Sequence, residues 1–289
     1  MFWDLLLYGA IIPGCATGCF ALIFAQWSRA AGHETTSAAA AVGGGFAVAF
    51  AAYFGMDGLL APQSWQWIFW ASAAAIPIGF FRGRLSQFSV LVVYCAVAAM
   101  LLLLPMIAKL VPHELATQQV WLWSAWLAVS FAVLTLLFEL SARSYSARVL
   151  APVWVVYAAG LAGLFFELAS ARLGQMGGFV AAAFGALMVL SWLQPQRAWL
   201  KGGSVVFILV FGQLAANAYF FGYDVQGLPL ILAALPAALL AAAAHWEWFP
   251  KSKPLAAIAG LILLVLLPLA LAFWVAMANV EVDPYAVPY

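Results

Sequence analysis

The sequence has few of the side chains from which metal and cofactor centres are built. Its three histidines, His33, His113 and His245, lie near the ends of apolar segments and not within them. A membrane haem of the b type needs histidine ligands on facing helices, so this cofactor is excluded. Cys15 and Cys19 lie one helical turn apart, but no neighbouring histidine or cysteine completes a zinc site. We therefore expect no metal site and no cofactor.

Catalytic patterns are also absent. The chain has no Gly-x-Ser-x-Gly elbow, no His-Glu-x-x-His pair and no cluster of carboxylates for Mg²⁺. No apolar segment carries a lysine or a carboxylate at its centre, which argues against a proton pump with a relay in mid-membrane. There is no glycine loop that would cradle phosphate, and the basic stretches are too short to indicate nucleic-acid binding. The sequence predicts no catalytic residues and favours a protein that is not an enzyme.

Charge itself is scarce, and long apolar runs take its place. Charged residues make up 7% of the chain and hydrophobic residues 67%, whereas a soluble domain carries roughly 25% charged residues. A spanning helix needs about 20 apolar residues, and ten such segments fill nearly the whole chain. We predict an all-α polytopic bundle of about ten spans, a single transmembrane domain over 1–289 with a polar outer tail at 280–289. The predicted segments are 3–27, 37–60, 66–82, 87–109, 120–140, 150–168, 174–193, 203–221, 227–246 and 255–278.

The positive charges alternate between the two sides of such a bundle. Nine of the eleven Lys and Arg fall in alternate connections, and only Lys109 and Arg172 fall in the others. Because Lys and Arg are retained on the cytoplasmic side, this bias predicts that both termini face outward from the inner (plasma) membrane of the cell. Most of the 14 Trp fall near predicted segment ends, which is typical of the aromatic belt of a membrane protein.

A glycine-rich stretch occurs twice. Residues 42–50 read VGGGFAVAF and residues 176–184 read MGGFVAAAF, and the same offset brings segments 3, 4 and 5 onto segments 8, 9 and 10. Since five segments per half reverse the orientation, the halves 1–145 and 146–279 would form an inverted 5+5 repeat. The alternative is a chance match, because glycine- and alanine-rich helices resemble one another. The arrangement is similar in outline to inverted-repeat secondary carriers, a resemblance that implies transport.

Polar and small residues within the segments form the candidate substrate site. Gln213 and Asn217 lie four residues apart, on one face of segment 8 near the middle and outer half of the membrane. Amides in hydrocarbon need partners, so these two either bond to neighbouring helices or line a polar cavity. The clustered glycines indicate either tight helix packing or a locally broken helix that exposes its backbone to a substrate. These glycines are Gly43, Gly44, Gly45, Gly177 and Gly178.

Four charged residues near the predicted outer surface form a second candidate site. Lys109 and Arg172 are the cations on that side, and Asp57 and Glu167 are acids near segment ends. Because outward cations run against the orientation rule, we expect them to pair with acids such as Asp57, Glu167 or Glu114. The alternatives are side chains that extend to the interface, or a site that coordinates an anion or couples transport.

Three functions fit these observations. The first is a carrier or channel for a neutral or weakly polar small molecule, because strong charge is missing from the middle of the bundle. The second is a non-catalytic structural or assembly subunit, whose partners besides the lipid bilayer are other membrane subunits or further copies of the chain. The third is a membrane-embedded enzyme acting on lipid or quinone, with Asp57, Glu167, Arg172 and His113 as its candidates. The sequence favours the carrier.

Overall fold

The residues that the structure, a computed structural model, describes are predominantly helical, and they include no strand. They are 3, 6–30, 37–57, 59, 62–80, 88–110, 115–194, 199–222, 225, 227–245 and 254–278. The predicted tail at 280–289 and the candidates His113 and Glu114 lie outside them. The prediction of an all-α bundle is confirmed.

Each predicted segment contains one α-helix. A π-helical turn, Leu7–Ile11, precedes the first, and 3₁₀ turns flank the third. The helices are α1 (Ile12–Ala30), α2 (Ser37–Phe54), α3 (Trp67–Ala75), α4 (Phe88–Ile107), α5 (Thr117–Ser144), α6 (Ala147–Leu168), α7 (Ala171–Leu193), α8 (Gly203–Phe221), α9 (Gly227–His245) and α10 (Pro254–Ala278).

Eight of these helices are long and apolar enough to cross a membrane, so the chain is a multi-pass membrane protein. The two shorter helices are α2, with 18 residues, and α3, with 9 residues. Pro77 explains the short α3, because proline lacks a backbone N–H and disfavours the helical conformation in the residue before it. The chain continues from α3 as a 3₁₀ turn, Ile76–Phe80. The number of ten spans stays a prediction.

Helix α8 lies at the centre of the bundle. It packs against α2, α3, α4, α5, α6 and α7, and most of its side chains are buried. A helix that is apolar on all sides is expected at such a position. The remaining helices pack outside this group: α1 against α2 and α7, α9 against α5 and α10, and α10 against α6. Helix α8 is therefore the centre around which α2 to α7 pack, and α1, α9 and α10 lie outside that group.

A tyrosine joins α6 to α9. The hydroxyl of Tyr157, on α6, donates a hydrogen bond to the carbonyl oxygen of Ala233, on α9. Tyr157 is buried, and hydrocarbon offers no hydrogen bonds, so this contact gives its hydroxyl the partner that it needs.

One end of the bundle is basic. Arg143 lies in the last turn of α5, Arg148 in the first turn of α6, and Lys201 just before α8; we call this the basic end. The Arg148 guanidinium donates to the carbonyls of Ser191 and Trp192, at 3.4 and 3.3 Å, in the last turn of α7. A cation at a helix C-terminus interacts favourably with the helix dipole, so Arg148 joins the two helices.

Candidate functional site

The predicted polar pair, Gln213 and Asn217, lies in a packed interface between α8 and α4. Gln213 is 1% exposed and Asn217 is 5% exposed. Their amide nitrogens donate to the thioether sulfur of Met106, at 3.3 and 4.0 Å, and a thioether is a weak acceptor. The Oε1 oxygen of Gln213 has no hydrogen-bond partner among the described residues. Both amides face a neighbouring helix here, and neither lines the groove described below.

The first glycine cluster lies within an uninterrupted helix. Gly43, Gly44 and Gly45 are all α-helical in α2, so the structure contradicts a broken helix at this point. A Cβ atom on Gly43 would lie 2.6 Å from the carbonyl oxygen of Ser72, and one on Gly45 would lie 1.9 Å from the hydroxyl of Thr17. These glycines therefore let α1 and α3 approach the backbone of α2, which is the packing interpretation of the sequence.

The second cluster contains two glycines with different surroundings. Gly177 and Gly178 both lie in the regular helix α7, which again contradicts a broken helix. A Cβ atom on Gly177 would lie 2.8 Å from the Cα of Ala162, on α6, whereas one on Gly178 would meet nothing within 4 Å among the described residues. Only the first of the two glycines is needed for close packing of α6 on α7.

We expect these neighbouring glycines to respond oppositely to alanine. Gly177→Ala should lower the free energy of unfolding by about 1–3 kcal/mol, because α6 and α7 must separate. Gly178→Ala should be neutral or should stabilise by up to about 1 kcal/mol, because alanine favours helix where space is open. Unfolding of the purified protein by SDS in mixed micelles measures both. Equal losses for the two variants would contradict the packing.

The predicted outer cations have found partners other than carboxylates. The ammonium group of Lys109 donates a hydrogen bond to the carbonyl of Pro62, which precedes α3. The guanidinium carbon of Arg172 lies 4.6 Å from the centroid of the Trp65 ring, a cation–π arrangement. Both contacts tie the connection before α3 to neighbouring helices, α4 in one case and α7 in the other.

The predicted acids at this end, Asp57 and Glu167, are exposed. In the part of the chain that the structure describes, neither forms an ion pair with Lys109 or Arg172. A carbonyl oxygen and an indole ring take the place of the expected carboxylates. The structure therefore does not bring these four residues together as a charge cluster.

A groove of about 570 Å³ lies between α5, α8 and α9. Gly212, Ala215 and Ala216 of α8 form its floor, and larger apolar side chains of α5 and α9 form its walls. Trp126 and Ile231 on these walls are exposed, so the groove opens sideways, toward the surface that lipid covers. Its volume and apolar lining are typical of a small-molecule site.

A buried carboxylate lies at the basic end. Glu139, on α5, is 0% exposed. Its Oε2 accepts a hydrogen bond from the Ser204 hydroxyl at 3.0 Å, and its Oε1 accepts one from the backbone N–H of Gly202 at 3.4 Å. The positive charges of Arg143 and Lys201 also act on the carboxylate. Because Gly202 caps α8, the anion lies against the positive end of the α8 dipole.

The sequence analysis did not single out the groove or the cap that Glu139 forms on α8. The groove does have a sequence signal in retrospect, which is small residues spaced one helical turn apart. They are Gly212 and Ala216 on α8, and Ala234 and Ala238 on α9. The cap has no such signal, because the hydrogen-bond partners of Glu139 lie more than 60 residues away, at the start of another helix. Only the packing of α5 against α8 brings the carboxylate to the cap.

These features define a multi-pass, all-helical integral membrane protein with a laterally open apolar groove beside a fixed central helix. Comparison of the chain with protein-family models, with curated proteins and with solved structures finds no match. Its functional assignment therefore depends on the chemistry of the groove and of the surrounding bundle.

Proposed function

We propose that the chain is a carrier of the cell inner membrane for a neutral or weakly polar small molecule. The observation that supports this most is the groove between α5, α8 and α9. A volume of about 570 Å³ falls within the range of small-molecule sites, and the lining is apolar with few polar groups. The substrate class expected from the scarcity of charge in the sequence agrees with this lining.

Lateral access distinguishes this groove from an aqueous pore. The exposed walls, Trp126 and Ile231, face the lipid-covered side, so a membrane-soluble substrate reaches the groove without crossing water. The floor belongs to α8, which Gln213 and Asn217 hold against Met106. We assign these amides to the support of the floor and place the substrate on its other side.

An inverted repeat would give the carrier its two alternating sides. Two equivalent pairs of helices support it: α1 packs on α2 as α6 packs on α7, and α4 packs on α5 as α9 packs on α10. A third pair differs among the described residues, since α6 packs closely on α10 whereas α1 packs on α7 and not closely on α5. The proposed repeat, with halves 1–145 and 146–279 and both termini outside, is therefore an asymmetric one.

A second candidate function is that of a structural subunit. It is favoured by the closely packed interface around Gln213, Asn217 and Met106, because the described hydrogen bonds of these amides go to a neighbouring helix and not to a cavity. In that case further copies of the chain or other membrane subunits would cover the exposed apolar surface. The groove favours the carrier, since a subunit has no need of an open site of this volume.

The transport proposal predicts that filling the groove stops substrate movement. The assay uses proteoliposomes that contain a nitrobenzoxadiazole-labelled monoacylglycerol, and dithionite added outside quenches only the label in the outer leaflet. The wild-type protein should move labelled lipid from the inner to the outer leaflet, so that this lipid is quenched as well. Ala234→Trp places an indole in the groove and should reduce this rate to that of protein-free liposomes. Ala259→Trp, at an exposed position of α10, should leave the rate unchanged.

Two outcomes of this assay would contradict the proposal that the protein is a carrier. One is a wild-type rate equal to that of protein-free liposomes. The other is equal movement with Ala234→Trp and Ala259→Trp, which would show that the probe crosses elsewhere. Both variants must remain monodisperse in detergent, because an unfolded variant would lose the rate for a trivial reason.

A further inference from the structure

A second hollow adjoins the groove at the end away from the basic residues. Its volume is about 380 Å³, and it is lined by Gln119, Leu122, Trp123 and Trp126. Trp123 and Trp126 also line the groove, so the two spaces adjoin one another at these residues. One ligand with two parts could therefore occupy both.

The shared wall, Trp123 and Trp126, offers hydrogen-bond donors, as do Gln119 of the hollow and Tyr219 of the groove. Among the described residues, no hydrogen bond uses the indole N–H of Trp123, the indole N–H of Trp126 or the hydroxyl of Tyr219. The side-chain oxygen of Gln119 accepts a bond from the backbone N–H of Ala116 at 2.8 Å, which leaves the Gln119 amide N–H₂ to donate. An indole nitrogen donates and cannot accept. The hollow is thus suited to a head group rich in acceptors.

Neither space is lined by a charged side chain among the residues described. A charged head group would gain no counter-ion there and would lose its hydration. An uncharged acceptor, such as an ester or a ketone, gains hydrogen bonds from the indoles at much smaller cost. This favours a neutral head over a phosphate, a carboxylate or an ammonium group.

The remaining groove fits a slender apolar chain. On α5 the lining runs from Trp123 to Leu137, which at a rise of about 1.5 Å per residue is a length of about 21 Å. Over that length the groove has a volume of about 570 Å³, so it is long and narrow. This shape suits a single extended apolar chain.

We propose that the occupant is a single-chain amphipath with an uncharged head group that accepts hydrogen bonds. Its head lies against Trp123, Trp126 and Tyr219, and its chain follows the floor formed by α8 toward the basic end. This proposal rests on the function proposed above and names the substrate class of the same groove. The indole N–H groups select the head, and the small residues of α8 admit the chain.

Photolabelling in lipid nanodiscs tests the proposal. Two probes carry a diazirine at the same position of one alkyl chain: a methyl ester of a long fatty acid, and the matched alkane without a head group. Peptide mass spectrometry should find the ester on groove residues such as Ala216 and Ala234 in clear excess over the alkane. Labelling of the exposed Leu263, on α10, gives the background from bulk lipid.

Matched tryptophan variants separate head-group recognition from general packing. Trp123→Phe with Trp126→Phe keeps the rings but removes both indole donors, so the excess of ester over alkane should disappear. Trp274→Phe is the control, because Trp274 on α10 is 66% exposed, as is Trp126. The control should retain the full excess.

The outcomes distinguish the two proposals. If ester and alkane label the groove equally, and above the level at Leu263, the proposed recognition of the head group is wrong, but the groove remains a substrate site. Labelling of the groove by neither probe above that level would overturn the proposed site itself. Loss of the excess in Trp274→Phe as well would show that the indoles do not recognise the head.

Discussion

Replacing Glu139 by alanine should cause the largest loss of stability of any single substitution considered for this chain. The carboxylate is fully buried and accepts hydrogen bonds from Ser204 and Gly202. Without it, two buried donors and the nearby cations Arg143 and Lys201 lose their anionic partner. A buried donor that loses its acceptor costs about 1–3 kcal/mol, and two are affected here. SDS unfolding in mixed micelles measures the loss as a shift to lower detergent fraction.

Two further variants show whether the charge or the hydrogen bonds matter. Glu139→Gln keeps one acceptor oxygen but removes the charge, so it should lose less, about 1–3 kcal/mol. Glu167→Ala removes an exposed carboxylate of the neighbouring helix and should leave the unfolding curve in place. An unfolding curve for Glu139→Ala that coincides with the wild-type curve would refute the capping role.

Replacing Gly45 by alanine should produce the next largest loss. The added Cβ atom would lie 1.9 Å from the hydroxyl of Thr17, 2.9 Å from the Thr17 backbone nitrogen and 3.0 Å from the carbonyl oxygen of Pro13. The hydroxyl can rotate away, but the two backbone atoms cannot, so α1 must move off α2. Overpacking of this kind costs up to about 3 kcal/mol, the upper end of its usual range. The same SDS titration measures it.

Gly18 supplies the matched control for this prediction. It lies on α1, but a Cβ atom there would meet nothing within 4 Å among the described residues. Gly18→Ala should therefore be neutral or slightly stabilising, since alanine is the better helix former. The prediction would fail if Gly18→Ala and Gly45→Ala unfolded at the same detergent fraction. That result would mean that the two helices do not touch at Gly45.

The Glu139 prediction also bears on the groove, because Glu139 holds the helix that forms its floor. Glu139 fixes the N-terminal end of α8, and the amides of Gln213 and Asn217 fix its middle against Met106. A rigid floor positions the small residues that admit a chain. Variants that loosen α8 should therefore weaken photolabelling of the groove even when they leave its lining residues unchanged.

The apolar runs of the sequence predicted where the helices lie, since each predicted segment contains one. The reason is that a backbone in hydrocarbon must satisfy its own hydrogen bonds, which leaves the helix as the local solution. The exception is α3, where Pro77 ends the regular helix early. Residue pattern also indicated that the glycines mark close packing, and in α2 Gly43 and Gly45 do so against Ser72 and Thr17.

Which residues contact these polar side chains was decided by the tertiary structure alone. The sequence places Gln213 and Asn217 on one face of a helix. Only the packing of α4 against α8 makes Met106 their hydrogen-bond partner. Glu139 reads as an ordinary residue near a helix end until Ser204 is packed against it.

The sequence by itself determined that the protein lies in a lipid bilayer, where along the chain its helices lie, and that their centres carry no strong charge. These properties depend on composition and on spacing along one chain. What only the tertiary structure decided is the buried cap at Glu139 and the groove beside α8. A cap formed by another helix and a space between three helices depend on distances between residues far apart in sequence. Such distances are fixed by packing, which no local pattern records.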